Sequence, residues 1–204
     1  MRFPAYPNYK PIGVEWLGDV PEDWEVKRLK YSASINDEAL PETTDPDFEM
    51  YYVDIGSVDA VQGIVSRATM VFENAPSRAR RSVRSGDTIV STVRTYLRAI
   101  AAILDPKPNT IVSTGFAVVR PHSVSSTFMS YALREFGLVE AIVARSVGVS
   151  YPAVNASEIG MLPIPFPPPD DQRTIADSLN HETSKIDTLV SKVETAIERL
   201  QEYR

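Results

Sequence analysis

The sequence predicts an α+β fold, in which a globular domain of mixed sheet and helix is followed by one long C-terminal helix of the coiled-coil type. Three observations support this prediction. Short β-rich runs, separated by Gly, Pro and Asn, follow one another up to residue 120. A helical period begins near residue 126. A proline-rich run at residues 162–169 then precedes an apolar heptad pattern.

The β-rich runs follow an entry arm that is rich in turn residues and carries both tryptophans, Trp16 and Trp24. Their β-branched and aromatic residues favour strands, and Gly, Pro and Asn favour the turns between them. The predicted strands span residues 50–55, 87–93, 99–104 and 115–120.

Residues 126–145 change to a period of three and four, which predicts a single helix with one buried face. The apolar residues on this face are Phe128, Tyr131, Ala132, Phe136, Val139, Ile142 and Val143. A helix that follows several strands is typical of an α+β domain.

Five prolines in the eight residues 162–169 exclude a helix interior and predict a stiff, extended segment. We expect the domain boundary here, with the globular domain at residues 1–168 and the long helix at residues 170–204. An alternative is that the run is a ligand for a proline-binding domain. Asp170 or Asp171 is expected to cap the helix.

The long helix carries an apolar ladder that steps by threes and fours, interrupted by Glu182. The ladder consists of Ile175, Leu179, Ile186, Leu189, Val193, Ala196, Leu200 and Tyr203. This heptad pattern favours pairing with another helix, and the predicted helix would be about 50 Å long. The alternative is a terminal helix that packs back on its own domain.

Composition excludes several classes of protein. Hydrophobic residues make up 43% of the 204 residues and charged residues 24%, which is typical of a folded domain and not of a disordered chain. The chain has no cysteine, and His122 and His181 are too far apart for a local metal motif. We therefore expect no metal and no cofactor. No apolar segment is long enough to span a membrane, and we expect a cytoplasmic protein.

Catalytic motifs are missing from the sequence. There is no G-x-G-x-x-G fingerprint, no P-loop and no G-x-S-x-G elbow. The pattern that comes nearest to the acids and lysine of a metal-nuclease site is Asp19 with residues 25–27. Surface acids produce this spacing by chance. The sequence therefore predicts a protein that is not an enzyme.

Positive charge is concentrated in the middle of an acidic chain. The net charge is -6, yet residues 67–145 contain 11 Lys and Arg against five Asp and Glu. Between residues 78 and 98 six arginines accompany a single acid, Asp87. The candidate DNA-binding residues are Arg78, Arg80, Arg81 and Arg84 in one predicted loop, and Arg94, Tyr96 and Arg98 in a second. Arginine suits bidentate contact with phosphate or guanine. A solvated basic face is the alternative.

A third candidate segment, residues 145–155, follows the predicted domain helix. Ser146, Ser150 and Tyr151 lie in this Ser- and Gly-containing loop, which can bring amides and hydroxyls close to a phosphate.

Three stretches, residues 20–30, 85–92 and 146–179, together resemble the specificity subunit of Type I restriction-modification systems. The last stretch is the most specific. It runs from the Ser/Gly loop through residues 155–159 and a proline-rich strand to residues 169–176, which open the helix. This order resembles the family's junction between a target recognition domain and a conserved helix.

The resemblance implies a non-catalytic subunit that reads double-stranded DNA for methyltransferase subunits and, through them, a restriction/translocase subunit. Family members usually carry two recognition domains and two helices that pair antiparallel as a spacer. This chain has one of each, which implies either a half-subunit that self-associates or one half of a longer protein. The rival hypothesis is a coiled-coil adapter with a protein-binding head, favoured by the acidic first 66 residues and a pI near 5.0.

Overall fold

Fourteen strands and four α-helices form along residues 5–202, the part of the chain that the computed structural model describes. The strands are β1 Tyr9–Pro11, β2 Asp19–Pro21, β3 Glu25–Arg28, β4 Ala33–Ile35, β5 Glu49–Val53, β6 Val58–Asp59, β7 Gly63–Ile64, β8 Ala68–Val71, β9 Ala79–Ser82, β10 Thr88–Ser91, β11 Ile100–Ala102, β12 Thr110–Ser113, β13 Phe116–Pro121 and β14 Pro163–Phe166. The helices are α1 Ser126–Ala132, α2 Phe136–Arg145, α3 Ala156–Gly160 and α4 Pro169–Glu202. The α+β prediction is confirmed.

Two four-stranded sheets form the centre of the domain. The first has the order β11-β10-β13-β4 and is antiparallel throughout. The second has the order β8-β5-β12-β9, in which β5 and β12 run parallel and the two outer pairs are antiparallel. The four predicted strands correspond to β5, β10, β11 and β13.

Strand β10 lies between two apolar cores, because its successive side chains point to opposite faces of the sheet. Val90 packs with Met129, Leu138 and other residues of the helical side. Ile89 packs on the other face in a cluster that includes Phe116 and the second sheet's Val112. Each fully buried side chain of this kind contributes about 1.5–3 kcal/mol to folding. The first sheet is therefore fixed from both sides.

Residues 126–145 form two helices, and the prediction of a single helix is wrong. Helix α1 ends at Ala132, and Glu135 caps α2 by accepting a hydrogen bond from the Leu138 amide at 2.7 Å. An acidic side chain that caps a new helix competes with continuation of the old one. Phe136 consequently lies outside the buried face, with 65% of its surface exposed.

The proline-rich run is extended, as predicted, and it pairs with the entry arm. Strand β14 runs antiparallel to β3, with Pro163 opposite Arg28 and Phe166 opposite Glu25. This two-stranded sheet accommodates prolines because each strand has an open edge where a missing N–H is harmless. Pro169 then opens α4, a position that suits its fixed φ.

Asp170 and Asp171 lie in the first turn of α4, and the prediction that one of them caps the helix is wrong. The Gln172 amide already bonds to the carbonyl of Pro168, so the helix begins at Pro169, ahead of both acids. Both acids still suit the positive end of the helix dipole.

Helix α4 contains 34 residues, which correspond to a length of about 50 Å. Its first turns dock on the domain: Gln172 is buried, accepting from the Ser125 amide and donating to the Pro167 carbonyl. The Tyr131 hydroxyl donates to Asn180 at 2.8 Å. Beyond Thr183 every described side chain of the helix is exposed. Tyr203 and Arg204, which the predicted helix includes, lie outside the described residues.

None of the helices within residues 5–202 combines the length and apolar character that a membrane span requires.

Candidate nucleic-acid interface and helix face

Five strand ends meet at one edge of the domain. Strands β5, β10 and β12 end there, and β9 and β13 begin there, as the pairs Ser91–Phe116, Val112–Val53 and Ser113–Ala79 require. The connections that follow β5, β10 and β12 and those that precede β9 and β13 therefore share one surface. Loops at the end of a rigid sheet are where binding residues commonly lie.

The turn after β10 holds two arginines in an unusual conformation. Thr95–Leu97 form a 3-10 helix, and the residues on either side, Arg94 and Arg98, have φ values of +53° and +51°. A side chain other than glycine costs about 1–2 kcal/mol in this left-handed region. Tyr96 is 53% exposed at the top of the turn. Local strain of this kind is concentrated at binding sites.

The predicted Ser/Gly loop folds into a narrow hairpin beside this turn. The amides and carbonyls of Val147 and Ala153 bond to each other at 2.8 and 3.0 Å. Gly148 adopts φ +122°, and a Cβ there would lie 3.2 Å from the Tyr151 carbonyl oxygen. The hairpin exposes Val149 completely. Its tip therefore presents apolar as well as polar groups.

Hydrogen bonds join the hairpin to the arginine turn. The Thr95 and Ser146 hydroxyls lie 2.7 Å apart, and the Arg94 amide donates to the Pro152 carbonyl at 2.8 Å. The Arg94 guanidinium lies 4.6 Å from the centre of the Tyr151 ring. The structure thus brings together two of the three predicted loops. We refer to residues 94–98 and 146–153 as the loop surface.

Arg98, at the side of the loop surface, has its charge partly neutralised. Its guanidinium pairs with Glu140 at 2.6 Å and lies 5.2 Å from the centre of the Phe136 ring. Arg98, Phe136 and Arg134 line one shallow pocket of about 220 Å³, and burial lowers the pKa of Arg134. This side of the surface therefore carries two arginines, one of which is already paired with a carboxylate.

Arg78 lies at the same edge but is already paired. Its guanidinium donates to Asp54 at 2.8 Å and to the Tyr52 hydroxyl at 3.2 Å. Its backbone carbonyl accepts a hydrogen bond from the Thr114 amide. The next residue, Gly115, accepts a hydrogen bond from the amide of Thr92, which precedes the arginine turn in the chain. Arg78 therefore borders the loop surface without belonging to it.

The other predicted arginines lie away from the loop surface. Arg80 and Arg81 belong to β9, so the prediction of a loop at residues 78–84 is wrong for them. The Arg80 guanidinium lies 4.5 Å from the centre of the Phe72 ring, and burial lowers the pKa of Arg81. Strand β9 pairs with β12, and this pairing holds the backbones of Arg80 and Arg81 within the second sheet.

Arg84 lies at the opposite edge of the domain, in an ion cluster around Asp87. Asp87 is only 1% exposed, and its two carboxylate oxygens each accept from Arg120 at 2.9 Å. Arg84 donates its amide to Asp87 and pairs its guanidinium with Glu38. The bonds to Asp87 raise the pKa of Arg120 further above its usual range. This cluster has the character of a structural element, and no sequence pattern marks Arg120 as a member of it.

Metal ligands do not converge in the region covered by residues 5–202, where no group of three or more His, Asp or Glu side chains could hold an ion.

The apolar ladder of α4 lies mostly in solvent. Its exposed members are Leu179, Ile186, Leu189, Val193, Ala196 and Leu200, whereas Ile175 is half-buried near the domain. Val190 and Ile197, which the ladder did not include, are also about half exposed and widen the apolar stripe on one side.

A groove of about 640 Å³ continues the apolar stripe toward the domain. It is lined by Tyr6, Trp24, Asp171, Ile175 and Leu179. The Asp171 carboxylate accepts from the Tyr6 hydroxyl at 2.9 Å and from the Trp24 indole at 3.1 Å, which ties the entry arm to α4. The apolar stripe of α4 therefore begins beside the domain and extends to the end of the described helix.

Known proteins share this architecture. The family model for the Type I restriction modification DNA specificity domain matches residues 21–199. The chain is 22% identical over 173 residues to the Type I restriction enzyme MjaIX specificity subunit of Methanocaldococcus jannaschii, a match that covers 81% of the chain and 39% of the relative.

Two solved structures are similar as well. The HsdS subunit from Thermoanaerobacter tengcongensis is 31% identical, with a TM-score of 0.72 over 83% of this chain and 44% of that one. A chain from a structure on complex assembly and conformational transition of the type I R-M system is 32% identical, with a TM-score of 0.73 over 88% and 48% of the two chains. The present chain spans less than half the length of each of these relatives.

Proposed function

The chain belongs to the Type I restriction modification DNA specificity domain family, and from this premise we propose that its loop surface reads one half of a bipartite double-stranded DNA target. The observation that carries the proposal is the convergence of the arginine turn with the 146–153 hairpin. Two segments that are far apart in sequence meet at one edge and expose Arg94, Tyr96 and Tyr151.

The chemistry of these groups suits DNA. Arginine contributes affinity through phosphate contacts and specificity through bidentate bonds to guanine, and aromatic rings pack against sugars and bases. The Arg94 guanidinium lies 4.6 Å from the centre of the Tyr151 ring, a cation–π contact that favours its position beside the hairpin. Val149 adds an apolar group of the kind that contacts the thymine methyl.

Helix α4 has a second role in this proposal, as a spacer between two DNA-reading domains. A rigid helix pair of fixed length sets the gap between half-sites, because both domains must meet a duplex that repeats about every 34 Å. The second domain comes either from a second copy of the chain or from the other half of a longer protein. The assembled spacer docks methyltransferase subunits and, through them, the restriction/translocase subunit.

We also propose that the chain itself is not catalytic and acts in the cytoplasm. Reaction chemistry then belongs to the methyltransferase and restriction subunits. A cleavage and methyl-transfer assay on the pure chain tests this part, and activity in either assay would contradict it.

The DNA-reading role is tested by selection from a pool of duplexes with a randomised core, using the chain alone and with its methyltransferase subunits. The wild-type chain is expected to enrich one motif, and the R94A/R98A variant to lose that enrichment. R67A/K107A is the matched control, because it removes two exposed cations away from the loop surface. Enrichment of the same motif by R94A/R98A would overturn the assignment of the surface.

The adapter hypothesis gives a different result in the same experiment. A protein-binding head would join a methyltransferase complex without enriching any DNA motif, in the wild-type chain as in both variants.

A further inference from the structure

The tip of the 146–153 hairpin is apolar and uncharged. Residues 146–157 contain no Asp, Glu, Lys or Arg, although charged residues make up 24% of the chain. Val149 is fully exposed and Val147 is 81% exposed. Two exposed valines on a protruding hairpin leave apolar surface in water, which favours burial against a ligand that is apolar at the point of contact.

The charges around the hairpin favour DNA as this ligand. Arg94, whose amide donates to the hairpin, and Arg145, which precedes the hairpin in the chain, are both exposed. The nearest acids on either side in the sequence are engaged: Glu140 belongs to an ion pair, and Glu158 accepts from the backbone amide that opens α3. This charge pattern complements a polyanion. The uncharged tip must then meet an apolar group on that polyanion.

DNA offers one apolar group at the edges of its base pairs. This group is the C5 methyl of thymine, which lies in the major groove, whereas the minor groove presents no methyl group. A valine against the donors and acceptors of the other base edges would remove their water without replacing the hydrogen bonds. The same valine gains from burial against a methyl group. A valine tip thus discriminates by attraction to one edge and by a penalty at the others.

The hairpin holds the valines in a fixed position. The backbone groups of Val147 bond to those of Ala153 at 2.8 and 3.0 Å, and the Ser146 hydroxyl bonds to Thr95 of the arginine turn. Gly148, between the two valines, has a φ of +122°. Because the tip is held by main-chain bonds, removal of a methyl group from the DNA leaves a gap that the hairpin does not fill.

We propose that Val147 and Val149 are specificity-determining residues, which read the C5 methyl group of a thymine in the major groove of the half-target. The inference deepens the proposed function and rests on it, because it takes the loop surface as the DNA-reading surface. It adds two things to that function. The hairpin enters the major groove, and the half-target contains a thymine opposite the hairpin tip.

Removal of single methyl groups from the DNA tests the proposal. In the motif obtained by duplex selection, each thymine of either strand is replaced in turn by deoxyuridine, which lacks the C5 methyl group and keeps the base-pairing hydrogen bonds. The wild-type chain is expected to lose about fourfold in affinity at one position, as burial of one methyl group predicts. The V147S/V149S variant is expected to bind the thymine and deoxyuridine duplexes equally.

Two further variants serve as controls. L104S makes the same change, from an exposed apolar side chain to serine, at the opposite edge of the domain, and it should retain the full deoxyuridine effect. V149I keeps an apolar tip and should retain the effect as well. Circular dichroism verifies that each variant is folded.

The outcomes separate this inference from the proposed function. A wild-type chain that enriches no motif would refute the proposed function and this inference with it. An enriched motif without thymine, or one in which no deoxyuridine changes the affinity, would overturn the methyl contact alone. A V147S/V149S variant as sensitive to deoxyuridine as the wild type would exclude the two valines. If that variant also lost its methyltransferase subunits, the hairpin would be assigned to a protein contact instead.

Discussion

The Thr95 hydroxyl lies 2.7 Å from the Ser146 hydroxyl, although 51 residues separate them in the chain. Thr95 is buried beneath the arginine turn, and Ser146 also bonds back to the Ile142 carbonyl at the end of α2. This contact therefore connects the first sheet, the helical side and both parts of the loop surface. It fixes the distance between Arg94 and the hairpin before any ligand arrives.

The ion pair between Asp87 and Arg120 is expected to support the whole domain. Replacing Asp87 by Ala leaves the Arg120 charge half-buried without its main partner, and loss of one member of a buried pair costs about 3–5 kcal/mol. Urea unfolding measures this loss. E38Q is the control, because it weakens the contacts of the more accessible Glu38 with Arg120 and Arg84 while Asp87 still pairs with Arg120, and it should cost about 1 kcal/mol or less. Equal losses in the two variants would refute the distinction.

Gly148 is expected to be required for the shape of the hairpin. An alanine there must adopt φ +122°, a conformation that costs about 1–3 kcal/mol, and its Cβ would press on the Tyr151 carbonyl. G148A should therefore lower DNA affinity while the rest of the domain stays folded. G56A provides the control, since its Cβ would meet no atom within 4 Å. A G148A chain that binds DNA like the wild type would contradict the role of the hairpin.

Glu140 is expected to restrain DNA binding by neutralising Arg98. The E140Q variant removes the carboxylate at 2.6 Å and frees the guanidinium for phosphate. An exposed pair of this kind is worth about 0.2–1 kcal/mol, so affinity should rise by up to about fivefold, most strongly at low salt. Titration at several salt concentrations measures the gain. E73Q, which removes an exposed carboxylate at the opposite edge, should leave affinity nearly unchanged.

The contact of the entry arm with α4 is expected to weaken at high pH. Burial and the hydrogen bond to Asp171 raise the pKa of Tyr6, so the neutral hydroxyl is favoured in the folded state. Its contribution is complete below the ordinary tyrosine value of 10.0 and is lost as pH rises through the raised pKa. Trp24 fluorescence reports the release, since its indole shares the same carboxylate. If Y6F followed an identical pH curve, Tyr6 would not be the responsible group.

The sequence predicts those features that depend on local periodicity. Strands β5, β10, β11 and β13 and the ladder of α4 follow from alternation and heptad spacing, which neighbouring residues determine. The break between α1 and α2 was missed because Glu135 was counted as a helix interior, although an acid can also cap.

The composition of the site is less visible in the sequence, because it depends on distant contacts. Runs of arginine look alike, yet Arg84 belongs to a buried ion cluster and Arg94 to an exposed turn. Only the sheet registers separate them, by placing the two at opposite edges. The left-handed conformations of Arg94 and Arg98 were also beyond prediction, since this residue rarely adopts them.

The hairpin is attached to the domain largely through its main chain. Its bonds run between the backbone groups of Val147 and Ala153, Arg94 and Pro152, and Val154 and Thr92. Bonds of this type do not depend on which side chains the tip carries. Mutation can therefore rewrite the exposed positions of the tip while the attachment persists, and under the proposed function this would open new target sequences without a new fold.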